Sequence, residues 1–206
     1  MYGPEDFVED TNVSRETLQK LTQYADALVK WQKAKNLVAN STLEDRWRRH
    51  FLDSAQMFSH MRKRLGDRPI RMIDIGSGAG FPGLVLSIMG LGTAHMVESN
   101  GRKCVFMNQI VRTTAADAFV HNVRIEAFDA PDYDVVVSRA CAKVEQLLDW
   151  SHPFRQNSTE MWLLKGEGVE DELTQAEASW KMKSERFESL SSSSGTILRL
   201  YEIEKK

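Results

Sequence analysis

The sequence predicts an α/β fold: a doubly wound, mostly parallel sheet with a small N-terminal helical cap. Three observations lead there. From residue 70 onward, β-rich apolar runs alternate with helical stretches, as they do where helices cross over between parallel strands. Before that point the apolar residues recur at helical spacing alone. The stretch DIGSGAGFPG at 74–83 directly follows the first apolar run, the place where open α/β sheets bind ligands. The expected division is a cap, residues 1–66, contributing to a substrate cleft, and a ligand-binding domain, residues 67–206.

Taken in order, Leu18, Leu21, Leu28 and Trp31 give one face of a helix over about 14–36, with Ser14 as its N-cap. Ser41 and Glu44 have the spacing of a capping box. Behind them Leu43, Trp47, Phe51, Ala55 and Phe58 recur about every four residues, marking a second helix that runs to about Arg64. Strands are expected at Ile70–Ile75, Ala94–Val97, Val123–Phe128, Tyr133–Ser138, Met161–Leu164 and Thr196–Ile203. Helices are expected at Gly83–Met89, Arg102–Thr114, Val144–Phe154 and Val169–Trp180. The long stretch between the last two strands leaves room for an antiparallel hairpin, and Ser191–Ser194 with Gly195 reads as a turn.

With 206 residues, 42% hydrophobic and 27% charged, the chain has the make-up of a soluble globular protein. No apolar run approaches the ~20 residues that cross a bilayer, and the acidic start MYGPEDFVED is unlike a signal peptide. A cytoplasmic protein is expected, with a monomer as the default. Cys104 and Cys141 give neither a disulfide framework nor a metal-ligand spacing. The net charge of −2 argues against a protein coated in positive charge. Between Arg46 and Arg71, however, eight basic residues stand against two acids, Asp53 and Asp67. Such a face either binds phosphates at one place or is a solvated helix surface.

The glycine loop has two candidate ligands. Gly78 to Gly83 can be set on the dinucleotide fingerprint G-x-G-x-x-G, but the first glycine then falls two residues past the strand exit. The frame from Asp74 gives acid-x-Gly-x-Gly-x-Gly, with Gly76, Gly78 and Gly80, the pattern of S-adenosylmethionine (SAM) methyltransferases. A pyrophosphate wants backbone N–H groups and a helix dipole. The methionine end of SAM carries an ammonium too, which suits carbonyls and the acid Asp74. Glu98, at the end of the second strand, can accept the ribose hydroxyls of either ligand, or simply cap the turn at Ser99-Asn100. The frame favours SAM and a Rossmann-like class I methyltransferase fold.

The reaction is narrowed by what must be deprotonated. After the fourth strand the chain reads Val137-Ser138-Arg139-Ala140-Cys141, without the Asn/Asp-Pro-Pro-aromatic stretch of enzymes that methylate exocyclic amines. Cys141 lacks the surroundings of a cytosine-C5 nucleophile, and a small buried side chain is expected there. A ring nitrogen such as guanine N7 has an in-plane lone pair and no proton to lose, so positioning and desolvation can supply most of its rate.

The chain resembles the bacterial RsmG (glucose-inhibited division protein B) family over roughly residues 14–203. The resemblance rests on Trp31-Gln32-Lys33-Ala34-Lys35-Asn36-Leu37, Arg49-His50-Phe51-Leu52-Asp53-Ser54, Gly80-Phe81-Pro82-Gly83, Ser138-Arg139-Ala140 and Leu164-Lys165-Gly166. It implies SAM-dependent methylation of guanine N7 in a decoding-region hairpin loop of 16S ribosomal RNA. Carried over residue by residue, it implies cofactor contacts at Gly76, Phe81 and Arg139. The family usually has an Arg, a small residue and a Glu after the third strand. Here Ala127-Phe128-Asp129-Ala130-Pro131 stands in that place, so the adenine-side contacts are expected at Asp129 and Ala130.

Other roles follow from chemistry. His50 and Asp53 share a helix face, so Asp53 could orient His50 beside the transfer site, or His50 could be a core-edge residue. Asn36 could reach the same cleft or cap the first helix. Arg139 could hold the SAM carboxylate or an RNA phosphate with its fork. Lys165 suits a phosphate contact better than proton transfer. Arg46, Arg48, Arg49, Arg102 and Lys103 are expected phosphate partners for RNA. Two alternatives stay open: a small-molecule SAM methyltransferase and a non-enzymatic nucleic-acid-binding module.

Overall fold

The structure, a computed structural model, describes residues 2–129 and 132–206. The chain opens on a helix that the apolar spacing did not predict, α1 (Pro4–Thr11), which buries Phe7. Its signals were present: proline and two acids in the first turn. Helix α2 (Arg15–Gln32) follows, and Ser14 caps it by accepting the Thr17 N–H at 3.1 Å. The expected capping box at Ser41 does not form. A short helix α3 (Asn40–Leu43) starts two residues earlier, behind Ala39, with no side-chain cap. Asn36 is exposed and does not end α2, whose C-cap is Lys33.

The second long helix is broken. A π-helical turn at Trp47–Leu52 leads into α4 (Asp53–Ala55) and α5 (Met57–Leu65). Trp47, Phe51 and Ala55 are buried. Their strict spacing of four would drift around an α-helix with 3.6 residues per turn, and the wider turn keeps them aligned. π-turns of this kind concentrate at functional sites.

The sheet has seven strands in the order β3-β2-β1-β4-β5-β7-β6. Five are parallel: β1 (Ile70–Ile75), β2 (Gly92–Val97), β3 (Ala118–His121), β4 (Tyr133–Arg139) and β5 (Arg155–Lys165). The hairpin β6 (Trp180–Glu188) and β7 (Thr196–Lys205) closes one edge antiparallel to β5. Two expectations are corrected here. The third strand is Ala118–His121, paired with Ala94–Val97, and the Val123–Phe128 stretch is a loop with a 3-10 turn. The last helix, α9 (Val169–Ala176), stops short of Trp180, which begins a strand.

Helices α6 (Gly83–Ile88) and α7 (Gly101–Thr114) pack with α1 and α2 around Phe7, Tyr24, Phe51, Phe81 and Phe106. Helix α8 (Val144–Ser151) and α9 cover the other face, against Ile73, Val136, Leu163 and Leu198. Burial on both faces explains why the central strands read as continuous apolar runs. Among the described residues no helix is long and apolar enough to cross a membrane.

Candidate active site

A cavity of about 770 Å³ opens at the carboxyl ends of β1 and β4, where the strand order reverses. One wall is the glycine loop with the end of β2. The opposite wall comes from the cap (Thr42, Arg49, His50 and Asp53), and the turn between β6 and β7 adds Ser192 and Ser194.

The three glycines of the loop have positive φ, +69° at Gly76, +59° at Gly78 and +99° at Gly80, but they serve different ends. A Cβ on Gly76 would run into the Cys141 side chain. One on Gly78 would meet nothing closer than 3.9 Å, so this glycine bares the loop toward the cavity. Gly80, expected to contact the cofactor, is not on the cavity wall: its missing Cβ makes room for Tyr24, whose Oη would lie 2.7 Å away. Tyr24 donates its hydroxyl to the Ala79 carbonyl and stacks on Phe81 with ring centroids 5.1 Å apart. Phe81 itself is 2% exposed and forms part of the cavity floor.

Asp74 is likewise displaced from its expected role. It is fully buried and off the cavity wall, its Oδ2 accepting the Gly83 N–H at 2.8 Å, while Oδ1 has no partner among the described residues. Burial pushes its carboxyl up to about 7. It pins the start of α6 and does not face the ligand space. Glu98 makes the turn cap and also faces the ligand space. It lines the cavity, and its oxygens accept the N–H groups of Gly78 (2.9 Å) and Asn100 (2.8 Å).

Asp129 is exposed and away from the cavity, and Ala130 lies outside the described residues. The wall there is made by Val123, Arg124, Ile125 and Glu126. The difference follows from the strand register: β3 ends at His121, so the loop begins earlier than expected. Arg124 and Glu126 then supply the Arg-x-Glu order expected after the third strand, with Ile125 between them. Placing β3 correctly is the signal that would have found them.

Arg139 leaves β4 and spans to the cap. Its Nη1 donates to the Arg49 carbonyl (3.0 Å) and to Asp53 Oδ2 (3.3 Å), and its Nη2 to His50 Nδ1 (3.1 Å). The guanidinium also lies 5.0 Å from the Phe81 ring centre. Because an arginine only donates, His50 Nδ1 accepts and the imidazole hydrogen sits on Nε2. That nitrogen donates to Thr42 Oγ1 at 2.9 Å, and Thr42 passes its own hydrogen to the Ala39 carbonyl at 2.7 Å. Burial first, then Arg139 and Arg49, push His50 down to about 3. His50 is therefore neutral, with both ring nitrogens engaged. Asp53 does not bond it directly, as expected from the helix face, but through Arg139.

Lys165 lines the cavity but is turned inward, donating to the Ala142 carbonyl (2.8 Å) and pairing with Glu172 (2.6 Å). It holds the segment after β4 to α9, so its amine is already engaged and does not await the phosphate expected there. Of the basic residues, Arg49 and Lys103 line the cavity, and Arg102 is exposed beside Lys103 on the first turn of α7. Arg46 and Arg48 do not line it: Arg46 turns to the Leu43 carbonyl (3.4 Å), and Arg48 lies 4.6 Å over the Tyr2 ring. Cys141, expected to be buried, is exposed on the cavity wall. The residue is exposed but its sulfur packs against Gly76, and that partial desolvation, with the nearby Asp74 and Glu98, raises its pKa, so it stays a thiol and suits no nucleophilic step.

The glycine-loop wall fits SAM. Gly78 leaves the main chain bare, and Lys103 Nζ stands close by, 4.0 Å from where a Cβ would be. Glu98 keeps lone pairs free beyond its two backbone bonds. A carboxylate, an ammonium and a ribose each find a complementary group on this wall.

The family GidB, rRNA small subunit methyltransferase G, matches residues 17–200. A ribosomal RNA small subunit methyltransferase G from Paramagnetospirillum magneticum is 45% identical over 203 residues, covering 98% of this chain and 97% of the relative. One from Rhodospirillum rubrum is 45% identical, covering 98% of each. Among solved structures, the plantazolicin methyltransferase BpumL with SAH is similar at TM-score 0.59 and 13% identity, over 94% of this chain and 100% of that one. The L11 methylase from Lactobacillus delbrueckii subsp. bulgaricus has TM-score 0.59 and 13% identity, over 74% and 78%. These structures share the fold.

Proposed function

The chain belongs to the rRNA small subunit methyltransferase G family, and from that premise we propose that it methylates N7 of a guanine in a decoding-region hairpin loop of 16S rRNA. The observation that carries the choice of a ring nitrogen is the state of the proton acceptors around the cavity. Glu98 is held by two N–H groups, Glu126 by Arg124 (3.0 Å), Asp53 by Arg139 and Ser191, and His50 by Arg139 and Thr42. Each is held by a donor before substrate arrives, and the lone pairs Glu98 keeps are assigned to the ribose. An attacking N7 loses no proton and needs none of them.

SAM supplies a methyl group on a sulfonium, an electrophile that transfers without acid or metal assistance. The chain's residues then have positioning and desolvating work. Gly76, Gly78 and Glu98 hold the cofactor, with Val123 to Glu126 beside the adenine. Phe81, capped by Tyr24 and His50, gives a flat apolar floor that excludes water from the reacting pair. Arg139 and His50 fix the cap against β4 as positioning residues. Lys103 faces the carboxylate of the cofactor, Arg49 and Arg102 take the phosphates of the RNA loop, and the cap to residue 66 forms the substrate side. We take the enzyme to act in the cytoplasm, where its ribosomal substrate is made, with a monomer as the default.

Incubation of the purified protein with labelled SAM and unmethylated small subunits tests this. Label should appear on one guanine whose N7 methylation makes the RNA cleavable by borohydride and aniline. Label on an exocyclic amine, on cytosine or on protein overturns the reading.

A further inference from the structure

The turn between β6 and β7 does more than reverse the chain. Ser191, 6% exposed, donates its hydroxyl to Asp53 Oδ1 at 2.5 Å. The other oxygen of Asp53 accepts from Arg139 Nη1. Gln56, also buried, braces the pair: its Nε2 donates to Asp53 Oδ1 (3.2 Å) and Ser189 Oγ (3.1 Å), and its Oε1 accepts the Leu190 N–H (2.6 Å). Through Arg139 the chain of bonds continues to His50 and ends on Thr42 and the Ala39 carbonyl. Hairpin, β4 and cap thus meet in one hydrogen-bonded line across the cavity rim.

We propose that Ser191 is a positioning residue for methyl transfer: by holding Asp53 it fixes Arg139 between cap and β4. The bond is of the charge-assisted kind, hydroxyl to carboxylate, which is short and directional. Without it Asp53 Oδ1 keeps only the longer bond from Gln56, and the carboxylate is free to turn away from Arg139. Among the described residues Arg139 has no other anionic partner, so its fork then rests on two neutral acceptors, the Arg49 carbonyl and His50 Nδ1, and its hold over Phe81 loosens. A turn at the sheet edge thereby controls the geometry of the substrate side. The proposal rests on the reading of Arg139 as a positioning residue given above.

The test uses Ser191→Ala and Ser191→Thr in the full chain. Ser191→Ala should lower kcat on unmethylated small subunits roughly 10- to 100-fold, the scale of a small misplacement, and leave S-adenosylhomocysteine affinity unchanged. Ser191→Thr, which keeps the hydroxyl, should recover most of kcat. A structural role alone would not move the second readout, NMR titration of His50 without substrate. Once Arg139 is released, the imidazole loses both a donor to Nδ1 and a nearby positive charge, so it should titrate at higher pH than in the wild type. An unchanged kcat overturns the proposal, as does a loss of kcat with unaltered His50 titration. If Ser191→Ala does not fold, Ser191→Cys, whose thiol is only a weak donor, must raise the His50 titration instead, and its failure to do so overturns the proposal. Absence of N7 methylation by the wild type would defeat only the proposed function, because the His50 readout needs no RNA.

Discussion

The glycine-loop wall of the cavity is written in one short span, from Gly76 to Glu98, and is held through main-chain N–H groups, Gly76 to the Val97 carbonyl and Gly78 to the Glu98 carboxylate. The opposite side is assembled from three distant segments, Thr42–Asp53, Arg139 and Ser191, joined by side chains. The contrast teaches where each can fail. A main-chain site fails when the backbone cannot adopt its conformation. A side-chain site fails when one partner is removed and the others relax.

The largest effect that can break this contrast lies within the glycine loop. Gly80→Ala should destabilise the fold, because its Cβ meets Tyr24 Oη at 2.7 Å and Leu84 at 3.1 Å at a φ of +99°; overpacking and left-handed strain together cost about 2–5 kcal/mol. Gly78→Ala carries only the left-handed strain of about 1–2 kcal/mol, with no atom nearer than 3.9 Å. It should melt closer to the wild type yet lose S-adenosylhomocysteine binding, since its Cβ enters the ligand space. Thermal melts and calorimetry on both variants check this. Equal loss of binding at equal stability would mean that the two glycines do the same job.

This asymmetry also explains how much could be read from sequence. The fold class, the SAM loop and Glu98 follow from a strand exit rich in glycine, and that signal is contiguous. The parallel sheet was legible because β1 and β4 are buried on both faces. Strand β6 was not: its Lys181, Lys183 and Glu185 face Glu204, Glu202 and Arg199 across the hairpin edge, so apolar alternation is masked by charged cross-strand pairs. The third strand was misplaced because Val123 and Ile125 alternate as a strand does but line the cavity instead. Gly80 and Asp74 shared a motif with cofactor residues while packing against Tyr24 and α6. No local pattern marks Ser191 as a partner of Asp53. Only the fold brings them together.

The basic residues sharpen the comparison at the next level of effect. Arg49→Glu with Arg102→Glu should weaken RNA binding and reduce the slope of log K against log salt by about two, one for each phosphate no longer neutralised. The Arg49 carbonyl that receives Arg139 is main chain and survives the change, so S-adenosylhomocysteine affinity should hold. Arg48→Glu is the control: Arg48 lies over Tyr2, off the cavity, and the salt slope should stay as in the wild type. A slope that falls as far for Arg48 would extend the RNA footprint over α1.

The smallest signal is the pH dependence of stability, because two buried groups, His50 and Asp74, oppose each other. His50 titrates at about 3 in the fold against 6.5 when unperturbed. Between those values the unfolded chain binds the extra proton, so this group makes stability rise with pH. Asp74 titrates at about 7 against 3.8. Between those values the folded protein holds the extra proton, so stability falls as pH rises. Each slope is at most about 1.4 kcal/mol per pH unit, and over the shared window, 3.8 to 6.5, they cancel. Asp74→Asn keeps the shape and an acceptor for the Gly83 N–H but cannot ionise. Its stability relative to the wild type should therefore climb from pH 4 to pH 7 and level off above, as measured by urea unfolding at each pH. A flat difference would mean that Asp74 ionises as readily in the fold as in the unfolded chain, and that its buried, unpartnered Oδ1 is stabilised as a carboxylate by Arg139 and the start of α6.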